Sequence, residues 1–362
     1  MANNIQSSDP VRRHKVVVCR DLGPDVMPLL RERRELELIV WPEDKFCDRK
    51  WLLENIPGCS GVLVMLSDIV NEEFLDTCGP SLKVVSTMSV GYDHVKLPAL
   101  AQRGIKLGYT PDVLTDAVAD LSVMLALMAS RNAKQTLSVV QNGEWPSFSW
   151  APFAFCGRQI SSSSQKRTIT VGFLGFGRIA KATLARLVPF GINHVIFLSS
   201  PKSKRDSPNE CAEFERQFGV KSVRRTADLQ ELARESDIVF VLAPGGPSTH
   251  HIIDEYFLRA MKPTAVLVNP SRGTLVDSDA LAKAVHEGWI WGAGLDVVEG
   301  EPNVTADHPL VKEPRCVVLP HVGSATFETR LEMASLAARN LIAGVLGEEL
   351  EHELGLQSYT SP

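Results

Sequence analysis

The sequence has no excess of basic charge, no cysteine pair spaced C-x-x-C, and no apolar run near the ~20 residues of a membrane span. Each absence removes a class of function. With 38 Lys+Arg against 43 Asp+Glu, a formal net charge of -5 gives no general attraction for nucleic acid or an anionic membrane, so neither partner is expected. The 7 cysteines, at positions 19, 47, 59, 78, 156, 211 and 316, are odd in number and scattered. They suggest reduced, mostly buried thiols rather than a disulfide framework or a zinc site, and no metal is expected. The opening MANNIQSSDPVRRHK lacks the apolar core of a secretory signal, the closing YTSP is not a peroxisomal address, and the NVT at Asn303 is a sequon only on paper. The expectation is a soluble, cytoplasmic protein. What is present is ample: 362 residues, 44% hydrophobic, enough for two cores without staples.

Along the first 110 residues, short apolar runs (Val16–Cys19, Val62–Leu66, Lys83–Ser86, Ile105–Gly108) alternate with mixed stretches long enough for helices, as buried parallel strands do. One continuous helix is predicted from Asp116 to about Gln141, with Val118, Leu121, Leu125 and Met128 on its apolar stripe and a domain boundary near Pro111. A long aromatic loop follows, containing Trp145, Phe148 and Trp150, and then the serine-rich stretch Ser161–Arg167. From Thr168 the strand and helix rhythm resumes through Cys316 as a doubly wound α/β pattern. The last helix, about Ala325 to Leu346, ends at Gly347 with no strand after it, so it should pack back across a domain junction.

After Thr168–Val171 comes G-F-L-G-F-G-R-I-A, which sets Gly175, Gly177 and Ala180 in the spacing of a dinucleotide-binding turn. Gly175 permits the tight turn, and Gly177 leaves room for a pyrophosphate. Ala180 lets the helix approach the strand while its N-terminal N–H groups face the phosphates. Phe176, Gly177, Arg178 and Ile179 are therefore expected to contact the cofactor. In NAD-selective sites an acid about 20 residues further on binds the ribose hydroxyls. Here Ser199 and Ser200 are followed by Lys202, Lys204 and Arg205 before the first acid, Asp206. Hydroxyls with cations suit a 2′-phosphate, so NADP(H) is preferred with NAD(H) as the alternative.

Three further segments fall at strand ends: Asn269–Gly273, Gly300–Pro302 and Leu319–Gly323. Taken singly, Arg272 reads as a surface ion pair, Glu301 as a turn residue and His321 as structural. Together they supply the cation, the orienting acid and the proton donor that reduction of a 2-keto acid needs.

These pieces resemble the D-isomer-specific 2-hydroxyacid dehydrogenases. The resemblance is carried by LKVVSTMSVGYDHV (82–95), GYTPDVLTDAVADLSV (108–123), VGFLGFGRIA (171–180), LVNPSRGTLVDSDAL (267–281), AGLDVVEGEP (293–302) and LPHVGSAT (319–326). It implies two Rossmann-like parallel-sheet domains with an interdomain cleft: a substrate domain of 1–110 completed by 327–362, and a dinucleotide domain of 111–326. It implies Arg272 on the substrate carboxylate and keto oxygen, His321 as general acid, and Glu301 as the partner favouring a protonated His321. Backbone N–H groups around Val90 and Gly91 would hold the carboxylate, Asp296 would lie near the nicotinamide carboxamide, and Ser324 follows the histidine as in relatives. The implied reaction is NADPH-dependent reduction of glyoxylate and hydroxypyruvate to glycolate and D-glycerate in a homodimer, with the aromatic loop reaching the other subunit.

The sequence departs from the family pattern at Ala180, at Ser199–Ser200 where close relatives carry Gly-Arg, and at Phe148 where a second tryptophan aligns. Two other functions stay open: a dehydrogenase of a bulkier D-2-hydroxy acid, and a dinucleotide-sensing protein like the co-repressors that share this fold.

Overall fold

The computed structural model describes residues 13–161, 168–199 and 209–359. Two compact units divide the chain: one runs to Val113 and resumes at Thr326, and the other spans Leu114–Ala325.

In the first unit, β1 (His14–Val18), β2 (Leu36–Val40), β3 (Gly61–Val64), β4 (Val84–Thr87) and β5 (Lys106–Gly108) form one parallel sheet in the order β2-β1-β3-β4-β5. The sequence reading missed β2. Its burial runs from one buried residue to exposed Glu37 and three half-buried positions, because it is an edge strand, and it reads as mixed polarity. The terminal helix, Phe327–Leu346, belongs to this sheet. A Cβ on Gly61 would meet Val345 Cγ2 at 2.5 Å, and one on Gly344 would meet Val84 Cβ at 2.6 Å, so two glycines set the close approach. Ser86 Oγ donates to the Ala337 carbonyl at 2.8 Å, and Asn340 Nδ2 donates to the Tyr109 carbonyl at 3.1 Å. Gly347, at φ 84, ends the helix in the left-handed region that glycine adopts without strain.

The second unit holds β6 (Thr170–Leu174), β7 (His194–Leu198), β8 (Ser222–Thr226), β9 (Ile238–Val241), β10 (Val266–Asn269), β11 (Gly292–Leu295) and β12 (Cys316–Val318), all parallel, in the order β12-β11-β10-β9-β6-β7-β8. The order reverses between β6 and β9, which makes the C-terminal end of β6 a topological switch point. Helix Thr115–Ser130 lies against this sheet: Leu121, Leu125, Ala126 and Ala129 are buried with Phe173, Phe240 and Val268, and Gly294 leaves room for the Leu125 backbone.

The continuous helix expected from Asp116 to Gln141 is two helices, Thr115–Ser130 and Ala133–Gln141. Asn132 sits at φ 54, and its Nδ2 donates to the Cys156 carbonyl at 3.0 Å. Arg158 N donates to the Ser130 carbonyl at 2.6 Å, and a Cβ on Gly157 would clash with that same carbonyl at 2.2 Å. The returning loop thus takes over a carbonyl at the end of the first helix, an arrangement local periodicity does not encode. The aromatic loop is open: Trp150 is 77% and Phe153 87% exposed, although Phe148 stacks on Phe155. Among the described residues no helix is long and apolar enough to cross a membrane.

Candidate active site

At the switch point, the turn after β6 is shaped by what it lacks. Gly175 has φ 90, and a Cβ there would meet the Leu242 carbonyl oxygen at 2.6 Å, so only glycine fits. Gly177 caps helix Arg178–Leu187 without a side-chain hydrogen bond, and a Cβ built on it would meet nothing within 4 Å among the described residues. First-turn N–H groups of a helix have no intrahelical acceptor, so this end presents donors and partial positive charge to open space. Buried Ala180 packs beneath. Phe176 stacks on Phe197 at 4.5 Å and meets Phe214 edge-on at 5.3 Å, which anchors the turn to the core. Arg178 is exposed and Ile179 half-buried in the same first turn. The donor set and the free space fit a dinucleotide pyrophosphate. Ser199 follows β7, half-buried, while Ser200, Lys202, Lys204, Arg205 and Asp206 lie outside the described residues.

The turns after β10, β11 and β12 are shaped by what they contain. Buried Asn269, the last residue of β10, uses Nδ2 to donate to the Arg272 carbonyl at 2.8 Å, and its Oδ1 accepts from Ser271 N at 3.1 Å and Ser271 Oγ at 3.0 Å. Arg272 Nη1 donates to the Ser271 carbonyl at 2.7 Å. Gly273 has no room for a side chain, since a Cβ would meet the Val298 carbonyl carbon at 2.2 Å. The segment holding Arg272 is therefore pressed against the one leading to Glu301.

Glu301 and His321 meet: His321 Nδ1 lies 3.0 Å from Glu301 Oε1, with both side chains about one-third exposed (34% and 33%). His321 has φ 55, a conformation a non-glycine residue holds only when its surroundings enforce it. Asp296 does so. Its Oδ1 accepts from Val322 N at 2.8 Å, its Oδ2 accepts from Gly323 N at 2.7 Å, and its own carbonyl accepts from His321 N at 2.8 Å. Burial pushes the Asp296 carboxyl above its ordinary value, against the pull of the two backbone N–H groups and of His321. Asp296 is thus a positioning residue for the histidine turn, a role its spacing in sequence does not reveal. Ser324 is half-buried just beyond.

In the first unit, Val90 and Gly91 follow β4. Ser89 Oγ donates to the Gly91 carbonyl at 2.5 Å and contacts Thr87 Oγ1 at 2.9 Å. Thr110 N donates to the Ser89 carbonyl at 2.9 Å. The amides of Val90 and Gly91 donate to no acceptor among the described residues.

Sequence reasoning named Arg272, Glu301 and His321 but missed Asn269, which fixes the backbone that presents Arg272. The only signal was its place in the same Asn-Pro-Ser-Arg-Gly run.

Residues 123–323 match the NAD binding domain of the D-isomer specific 2-hydroxyacid dehydrogenases. The chain is 41% identical over 347 residues to the glyoxylate reductase/hydroxypyruvate reductase of Homo sapiens, covering 96% of this chain and 99% of that protein. It is 39% identical over 342 residues to a glyoxylate reductase of Thermofilum pendens, covering 93% of each. Among solved structures, it superposes with a TM-score of 0.75 and 30% identity on an NADPH-dependent glyoxylate/hydroxypyruvate reductase from Sinorhizobium meliloti in complex with NADP and malonate, covering 95% of this chain and 97% of that one.

Proposed function

The chain belongs to the D-isomer-specific 2-hydroxyacid dehydrogenases, and on that premise we propose that it reduces glyoxylate and hydroxypyruvate to glycolate and D-glycerate with NADPH. The observation that carries this reading is the 3.0 Å pairing of His321 with Glu301 on the same sheet whose β6 ends in the open glycine turn. A bound nicotinamide cofactor supplies the hydride; the residues of this chain do the rest. Protonated His321 donates through Nδ1 to Glu301, which fixes the ring so that Nε2 can pass its proton to the keto oxygen. Arg272 draws charge toward that oxygen and pairs with the carboxylate of the substrate. In the first unit, taken as the substrate-binding domain, the N–H groups of Val90 and Gly91, which donate to no acceptor among the described residues, are suited to hold a carboxylate. Asp296 holds the histidine turn, and Ser324, the next residue after that turn, is proposed to border the cofactor.

NADPH is favoured over NADH because no acid occurs between Leu198 and Arg205, where Ser199, Ser200 and Lys202 stand instead. The structurally similar Sinorhizobium meliloti reductase was solved in complex with NADP and malonate. The exposed Trp150 and Phe153 support a homodimer in which a second copy covers the aromatic loop.

The test is loss of reduced-nicotinamide absorbance, with NADPH and NADH crossed against glyoxylate, hydroxypyruvate and pyruvate. The reading requires fast turnover of the first two acids with NADPH. Tight NADPH binding without turnover of any of the three would overturn it in favour of a bulkier substrate or a sensing role.

A further inference from the structure

Away from the reaction residues, the second unit brings two imidazoles and a carboxylate together. His250 and His251 lie in the loop after β9, and Glu299 lies in the turn after β11. The rings stack at 3.9 Å. Glu299 reaches both, with Oε2 3.0 Å from His251 Nε2 and Oε1 3.6 Å from His250 Nε2. One ligand atom from each residue lies within 4.8 Å of the other two. Three features fix this arrangement. His251 is held at φ 49, its N donates to the Thr274 carbonyl at 2.9 Å, and its Nδ1 lies 4.0 Å from Asp277 Oδ2.

We propose that His250, His251 and Glu299 form a binding site for a late first-row divalent cation of the Zn2+, Ni2+ or Cu2+ kind. Metal–ligand bonds of about 2.0–2.2 Å at a tetrahedral angle place neighbouring donor atoms about 3.4 Å apart. The two observed nitrogen-to-oxygen separations, 3.0 and 3.6 Å, bracket that value, so Glu299 already stands at ligand spacing from both imidazoles, and closing on an ion requires the stacked rings to turn until both Nε2 lone pairs point at it. Two imidazole donors select against Mg2+ and Ca2+, which take oxygen ligands. Asp277 Oδ2 lies 4.0 Å from the far nitrogen of His251, too long for a hydrogen bond, and a small turn of the ring would bring it to where a carboxylate orients a metal-bound imidazole. His250 is half-exposed at 52%, which leaves one side open for water to complete the coordination shell. Binding exchanges water for protein ligands and ties the loop after β9 to the turn that leads to Glu301.

A second cluster, Cys19, Cys47 and Asp68 in the first unit, is a poorer cation site, because the guanidinium groups of Arg20 and Arg49 act on Asp68. It nevertheless contains thiols, so the experiment must separate the two. Zn2+ is titrated into the full chain against a chromophoric zinc indicator. His250→Ala and Glu299→Gln are each expected to weaken binding roughly tenfold or more, with Cys47→Ala leaving it unchanged and excess Mg2+ failing to compete. Wild-type Zn2+ affinity in both His250→Ala and Glu299→Gln, or loss confined to Cys47→Ala, would overturn the proposal. His250 is a surface side chain, so its removal tests the site without threatening the fold.

Discussion

The turn after β6 and the turns after β10, β11 and β12 cap the same sheet, yet they are built in opposite ways. At Gly175–Ala180 the chain withholds side chains: space lies open beyond Gly177, and a helix N-terminus faces it uncapped. At Asn269–Arg272 and around Asp296 the side chains of Asn269 and Asp296 fasten the backbone that presents Arg272 and His321. The difference suits the two tasks proposed for these turns. A turn that holds phosphate must leave its N–H groups free for the ligand, whereas an arginine and a histidine that act on a small acid must be held in one geometry before it arrives.

The largest effect should come from breaking the fastened side. His321→Ala removes the proposed proton donor and should lower kcat by roughly 10²–10⁴-fold, with NADPH affinity by fluorescence close to wild type. Wild-type rates would remove His321 from the reaction.

The open side gives a paired contrast. Gly177→Val adds a side chain whose Cβ meets nothing within 4 Å among the described residues, so thermal stability should hold while NADPH binding weakens on the order of 10–100-fold, about 1.4–2.8 kcal/mol. Gly175→Ala should do the reverse. Its φ of 90 and the Leu242 carbonyl 2.6 Å from a new Cβ lower the melting temperature before any ligand is added. Equal losses of stability in both variants would erase the contrast.

The smallest effect is in the pH dependence of stability. Because burial raises the folded-state pKa of Asp296, its contribution to stability is fully present below the ordinary carboxylate value of 3.8 and is lost as pH rises through the raised value. Asp296→Asn removes that dependence, so in chemical denaturation the stability of wild type relative to the variant should decline from acid toward neutral pH. A relative stability that rises over the same window would contradict the sign.

Much of this was legible in the sequence. Strand rhythm marked buried β1, β3 and β4, and the glycine turn was legible because its requirements are backbone requirements that few residues meet. The pairing of Glu301 with His321 was legible only when the two were read together with Arg272, since each alone has an ordinary surface reading. The rest was hidden by tertiary contacts. β2 exposes Glu37 and reads as mixed polarity. The break at Asn132 depends on the carbonyl of Cys156. Asp296 holds the amides of Val322 and Gly323, which no local pattern joins to it.

The central claim is that the fastened turns act on substrate while the open turn holds the cofactor. Arg272→Ala tests it most directly, with keto-acid turnover and NADPH affinity measured on the same preparation. The account predicts that turnover of glyoxylate and hydroxypyruvate is abolished while NADPH binding stays nearly intact. A large loss of NADPH affinity, or turnover near wild type, would contradict it.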